Sequence, residues 1–124
     1  MSNWYAAHLI MYVKFKEHEQ KKIPVWENIV LIKADSDDEA FEKAERRGHD
    51  DEGDDDETFR WDEKPAKWVF AGVRKLTRCQ QSEERPDDGV EISYTELSVD
   101  SEDALHKLVS GESVGVRFHE MFSE

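Results

Sequence analysis

The sequence predicts an α+β domain, a largely antiparallel sheet with two helices packed on one face, in the order β-β-α-β-β-β-α-β. Three observations predict it. Apolar residues alternate with a period of two in several stretches, the spacing of a pleated strand. Two other stretches carry apolar residues at helical spacing, each entered through Asp-Ser and a run of acids. The strand-like stretches come mostly in neighbouring pairs joined by short polar turns, which makes hairpins rather than parallel crossovers. A length of 124 residues fits one domain, 1–124, large enough to bury a core without disulfide or metal staples. A ferredoxin-like relative satisfies the same order.

The elements follow in turn. In 4–16, Tyr5, Ala7, Leu9, Met11, Val13 and Phe15 fall on one face and Trp4, Ala6, His8, Ile10 and Tyr12 on the other. Both faces are apolar at the start, which marks a central strand. After a charged turn, Pro24 admits a second strand over 25–34, built on Ile29-Val30-Leu31-Ile32 and forming a hairpin with the first. Ser36 with Glu39 makes a capping box for a helix whose stripe is Ala40, Phe41 and Ala44, and Gly48 is placed to end it. An acidic loop over 49–57 follows. A short strand is expected within 57–62 and a longer one over 67–78, then a turn at Pro86-Asp87-Asp88-Gly89. Residues 90–99 read as a strand with a bulge, 100–110 as a helix with Ala104, Leu105, Leu108 and Val109 on one face, and Gly111 as its stop. Val114, Val116, Phe118 and Phe122 alternate as a last strand. The resemblance between 34–44 and 99–108 is what two similarly capped helices produce.

Charge is the strongest compositional signal. Of a net −13, residues 35–57 contribute −10, from 13 acids and 3 bases, and 83–103 contribute −8, whereas 58–82 is +4. A surface of this sign disfavours direct nucleic-acid contact and anionic membranes. No apolar run reaches the roughly 18 residues of a membrane span, and the start, Met1-Ser2-Asn3-Trp4, lacks the pattern of a signal peptide. A single cysteine, Cys79, forms no internal disulfide, which fits a reducing cytoplasm.

Chemical motifs are sparse. The acids from Asp50 to Glu57 supply oxygens of the kind calcium takes, but the glycine of an EF-hand loop is misplaced, so no metal site and no cofactor is expected. His8, His18, His49, His106 and His119 have no zinc spacing. His8, alone among apolar strand residues, reads first as a hydrogen-bonded, half-buried histidine and second as a base. Cys79 lies near Arg74, Lys75 and Arg78, which would lower its pKa if they faced it. Trp4, Trp26 and Trp68 read as core, and Trp61, between Arg60 and Asp62, as the exposed contact aromatic.

Trp4-Tyr5-Ala6-Ala7-His8-Leu9, Trp26-Glu27, Val30-Leu31-Ile32 with Ala34, Glu39-Ala40, Ala44 and Gly48 resemble a small bacterial family, the domain of unknown function 4288. Trp68-Val69-Phe70-Ala71-Gly72-Val73 and Glu91-Ile92-Ser93-Tyr94-Thr95-Glu96-Leu97 continue the resemblance, which spans about 4–98. The acidic loop is longer and more charged than the family pattern. The resemblance implies no activity, and Trp4, Tyr5, Trp68 and Gly72 carry over as pattern positions only.

The expectation from sequence is therefore a small, acidic, cytoplasmic, non-catalytic binding or inhibitor module of the immunity type. Asp50, Asp51, Glu52, Asp54, Asp55, Asp56, Glu57 and Trp61 would engage a basic protein partner. Two alternatives stand beside it. One is a small enzyme or ligand binder with a site around His8, Tyr12 and His119. The other is a structural or regulatory subunit that homodimerises through a strand edge rather than remaining a monomer.

Overall fold

The structure, a computed structural model, describes residues 2–53 and 57–119. The chain forms two compact units, Met1–Ser93 and Tyr94–Glu124. The first holds β1 (Asn3–Phe15), β2 (Val25–Ala34), α1 (Asp37–Asp50), β3 (Arg60–Trp61) and β4 (Lys64–Arg78); the second holds β5 (Leu97–Ser98), α2 (Glu102–Ser110) and β6 (Arg117–Phe118). The chain is α+β, and its element order is the expected one.

The main sheet is antiparallel with the order β2-β1-β4-β3. Strand β1 is central because it is apolar on both faces. It pairs with β2 from Asn3↔Ala34 to Tyr12↔Val25, and with β4 from Tyr5↔Arg78 to Phe15↔Ala66. Its odd-numbered side chains face α1, and Tyr5, Ala7, Leu9 and Met11 form the core with Ile32, Ala34, Ala40, Ala44 and Phe70.

Helix α1 starts as its sequence dictates. Ser36 Oγ accepts from the Glu39 N–H at 3.1 Å, and Glu39 Oε1 accepts from the Asp35 N–H at 2.6 Å. Tyr5 donates to Asp37 Oδ1 at 2.9 Å, tying the first turn to β1. The end differs from expectation. Gly48 does not stop the helix, which continues to Asp50 and is capped by Asp51, whose N–H reaches the carbonyls of Arg47 and Gly48 at 3.2 Å. Gly48 is instead buried against Phe70, where a Cβ would overlap the ring. The helix thus turns only Ala40, Ala44 and Gly48 fully inward, so it lies close to the sheet. Phe41, expected inside, is 42% exposed.

Strand β4 begins at Lys64, earlier than expected, and carries two irregularities. The partner of His8 is Lys75 and that of Leu9 is Val73, so Arg74 is an extra residue; Ala71 is extra between Gly72 and Phe70. Gly72, at φ 154°, takes the backbone conformation the second bulge needs. The first bulge sets Arg74 and Lys75 side by side against the middle of β1.

Residues 90–99 do not form the expected full strand. Only Leu97–Ser98 pairs, with Arg117–Phe118. Ile92 and Tyr94 are exposed, so the alternation found no core to face. The last strand is likewise limited to Arg117–Phe118, and Phe122 lies outside the described residues. Helix α2 is capped as expected, by Ser101 on the Ala104 N–H at 3.1 Å and by Gly111 at φ 83°. Its apolar stripe is not buried: Leu105, Leu108 and Val109 are exposed.

Candidate functional site

The even-numbered residues of β1 project from the sheet face opposite α1, and His8 stands in the middle of that row. It is the one fully buried polar side chain among the described residues, with 1% exposure. Burial of an imidazole without partners is costly, and both ring nitrogens have one. Nδ1 lies 2.7 Å from Glu27 Oε2 and Nε2 lies 2.6 Å from Ser93 Oγ. A carboxylate only accepts, so in the neutral ring Nδ1 carries the proton and Nε2 accepts from the Ser93 hydroxyl. Arg74 Nη1 donates to the same Glu27 Oε2 at 2.9 Å, and Thr77 Oγ1 lies 3.4 Å from Ser93 Oγ. Partial burial pushes the Glu27 carboxyl up, but hydrogen bonds from His8 and Arg74 outweigh it and hold the carboxyl below its ordinary value of 4.5.

Each member of this cluster is placed by a different device. The β1–β2 register sets Ile10 opposite Glu27, one step diagonally from His8. The bulge in β4 aims Arg74. Ser93 ends a segment, 79–93, that returns along the sheet on hydrogen bonds from Cys79 N to Trp4 O, Trp4 N to Ser82 O, Gln80 N to Glu91 O and Ser82 Oγ to Asn3 Oδ1. The order hydroxyl–imidazole–carboxylate is that of a proton relay. Here, however, both ring nitrogens are engaged within the protein and the ring is shielded. The shallow depression lined by Cys79, Gln81, Ser82, Glu83 and Glu84 does not include His8. The cluster therefore acts as a clasp that fastens the irregular 79–93 segment onto the sheet.

The other residues singled out from sequence belong to different elements. Tyr12 shares the His8 face and is half-buried. His119 belongs to the second unit, where its Nε2 lies 2.9 Å from Ser98 Oγ. Cys79 is buried, and desolvation pushes its thiol up, opposite to the expectation that neighbouring bases lower it. Arg74 turns instead to Glu27, and Arg78 to Asp37 at 3.4 Å.

Among the acids, Asp50, Asp51, Glu52 and Glu57 are exposed, and Asp54, Asp55 and Asp56 lie outside the described residues. Two of them also hold structure. Asp51 Oδ2 pairs with Arg47 Nε at 3.2 Å. Glu52 Oε2 accepts from the Phe70 N–H at 2.9 Å, and Oε1 lies 3.1 Å from His49 Nδ1. The Phe70 N–H, then His49, lower the Glu52 carboxyl. Beside them, Gly53 bridges to Trp68 on β4. Trp61 is half-buried and packs edge-on against Trp26 at 5.3 Å; Trp26 meets Trp68 at 4.8 Å and Phe59 stacks on Trp68 at 5.5 Å. The hairpin that carries Trp61 turns through Asp62 and Glu63, both at positive φ. Trp4, half-buried, has Lys33 and Arg85 over its ring at 5.8 Å. No group of three or more His, Cys, Asp or Glu among the described residues is arranged to hold a metal ion. No helix among them is long and apolar enough to cross a membrane.

Glu27, Arg74 and Ser93 escaped the sequence reading. Strand register, once assumed, brings Glu27 within reach of His8. Ser93 falls in the alternating stretch 90–99, but alternation alone names no partner for it.

Taken together, the first unit is an α+β domain with one helix on an antiparallel sheet and a buried histidine clasp on the opposite face. The chain belongs to the family described as Domain of unknown function (DUF4288), whose profile matches residues 4–94. The matched span nearly coincides with the first compact unit and includes His8, Glu27, Arg74 and Ser93. No curated protein and no solved structure matches the chain.

Proposed function

We propose that this chain is a non-catalytic cytoplasmic binding module whose acidic face, formed by α1 and the segment after it, engages a basic protein partner, in the manner of an immunity or inhibitor protein. One observation carries the reading. The segment with a net −10 contains a helix whose fully buried residues are only Ala40, Ala44 and Gly48. Asp37, Asp38, Glu42, Glu45 and Asp50 are exposed on this helix, and Asp51, Glu52 and Glu57 are exposed in the segment after it. Carboxylates held on a packed helix lose little side-chain freedom on docking, and an array of one sign accelerates encounter with a cationic surface. A partner whose cationic site also binds nucleic acid fits this chemistry best.

Capture from lysate at low salt tests it. The wild-type chain retains a basic protein that duplex DNA competes off, and replacing Asp50, Asp51, Asp54, Asp55, Asp56 and Glu57 by their amides releases it. Capture that survives those replacements, or no partner at any ionic strength, overturns the proposal.

A second reading rests on the Ser93–His8–Glu27 order, which would make Ser93 a nucleophile. A fluorophosphonate probe that labels the wild type but not Ser93→Ala supports it, and an unlabelled wild type removes it.

A further inference from the structure

Strand β2 lies at one end of the main sheet and presents an outer edge. Its polarity follows from two bonds. Val13 N donates to Pro24 O across the β1–β2 ladder, so the even-numbered residues of β2 turn their backbone groups toward β1. The odd-numbered residues turn theirs outward, and Lys33 O accordingly accepts from Lys43 Nζ at 2.6 Å, outside the ladder. Val25, Glu27, Ile29 and Leu31 thus offer N–H and C=O groups along the edge. The same odd-numbered residues set their side chains on the face opposite α1, where Val25, Ile29 and Leu31 are 56%, 49% and 41% exposed. A long, flat, apolar edge is a template for a further strand.

We infer that this edge pairs with the β2 edge of a second copy of the chain, antiparallel, about a two-fold axis at Val30. Charge selects this register. It sets Glu27 opposite Lys33 of the partner subunit and Ile29 opposite Leu31 of the partner subunit, each pair then repeated by symmetry. Opposite charges face each other directly, and the exposed apolar residues cover one another. All four pairs are odd-numbered, so their outward groups are the ones that face each other, and the Lys33 carbonyl, which already accepts from Lys43 Nζ, has a second lone pair for the N–H of the partner subunit's Glu27. Shifting the axis to Ile29 sets Glu27 opposite Leu31 and loses the charge match. Glu27 also accepts from His8 and Arg74, and a carboxylate has acceptor positions for more. The result is a continuous sheet across both copies. An axis perpendicular to that sheet leaves both α1 helices on one side of it, doubling the acidic face. The inference does not depend on the identity of any other partner.

Sedimentation velocity on the full chain, over a micromolar concentration series at about 0.15 M salt, tests it. The expected species has twice the 14.5 kDa chain mass. Lys33→Glu faces two carboxylates across each end of the junction, and Ile29→Lys buries an ammonium against Leu31; each weakens association at least tenfold while far-UV circular dichroism is unchanged. Val30→Cys, at the axis, forms an intermolecular disulfide under mild oxidation, because directly opposed non-hydrogen-bonded positions approach closely enough. A mass of 14.5 kDa at every concentration overturns the inference. So does a dimer that both charge variants leave intact, and a dimer that Val30→Cys fails to cross-link overturns this register.

Discussion

Replacing Ser93 by Ala isolates the energetic role of the histidine clasp. The substitution removes one oxygen and leaves apolar packing unchanged, so the loss is that of a partner for His8 Nε2, which the hydroxyl meets at 2.6 Å. The ring is 1% exposed. An acceptor buried without a partner costs about 1–3 kcal/mol. The space vacated by one hydroxyl is smaller than the roughly 30 Å³ share of a water molecule, so solvent refills it poorly. For a unit the size of Met1–Ser93 each kcal/mol moves the midpoint by about 4–8 °C, and the expected fall is about 4–24 °C. The denaturant slope stays constant, because no large surface is newly exposed on unfolding. Urea titration gives the free energy, and amide exchange gives its location. Protection should drop first at residues 79–93, whose hold on the sheet the hydroxyl completes. Ser93→Thr keeps the oxygen and most of the stability. A loss below about 0.5 kcal/mol, the usual range for surface changes, with exchange at 79–93 unaltered, would refute the clasp.

Two further predictions follow from the packing and the charge. Gly48→Ala gains about 1 kcal/mol of helix propensity but drives a methyl into the Phe70 ring, an overpacking cost of about 1–3 kcal/mol. The variant should be destabilised in urea, with a partial recovery when Phe70→Leu is added; a more stable single variant contradicts the close approach of α1. Glu27→Gln should be less stable than the wild type at neutral pH. Because the folded Glu27 carboxyl sits below its ordinary 4.5, its contribution is present above that value and is lost as pH falls through the folded pKa. The two stability curves therefore converge in acid, below about pH 4.5, and a gap that persists there would mean the charge is not its source.

Periodicity made most of the first unit legible. The central position of β1 follows from its two apolar faces, and the β2 hairpin from the β-branched run before Ala34. The start of α1 follows from Ser36 and Glu39: Ser36 makes the bond its spacing predicts, and Glu39 reaches back one residue further, to the Asp35 N–H. Each miss has a local cause. Gly48 looked like a stop because glycine favours helix ends, but the same residue answers a demand for close packing, and only the position of Phe70 distinguishes the two. Residues 90–99 alternate like a strand, yet alternation shows only that a face is apolar. It does not supply a partner strand, and Ile92 and Tyr94 stay exposed. The clasp was half legible. A histidine in an apolar row announces a hydrogen-bonded site, and the register reaches Glu27, but Ser93 arrives on a stretch whose geometry is set by tertiary bonds alone. The sequence predicts an acidic loop over 49–57. In fact helix α1 runs into it, and Glu52 is anchored to β4 through the Phe70 N–H.

The bases of the first unit bear on whether its acidic surface survives folding. Segment 58–82 carries a net +4, enough to offset much of the α1 charge if the two met. Lys67 lies near enough to Glu52 to help lower its carboxyl, but Arg74, Lys75 and Arg78 are largely kept from the acids of α1. Arg74 turns to Glu27 on the face opposite α1, and the Lys75 Nζ is buried, paired in register with His8 on that same face. Arg78 reaches α1 only at Asp37, in the first turn. The bulge at Arg74 is the reason two consecutive bases can serve one face, since strict alternation would have sent one of them toward the helix. With both bases kept and no bulge, Arg74 would fall opposite His8 and Lys75 opposite Ala7, on the α1 face. The same irregularity thus supports the histidine clasp and keeps Arg74 and Lys75 off the face that packs on α1, while Glu42, Glu45 and Asp50 stay exposed beside the helix's own Lys43, Arg46 and Arg47.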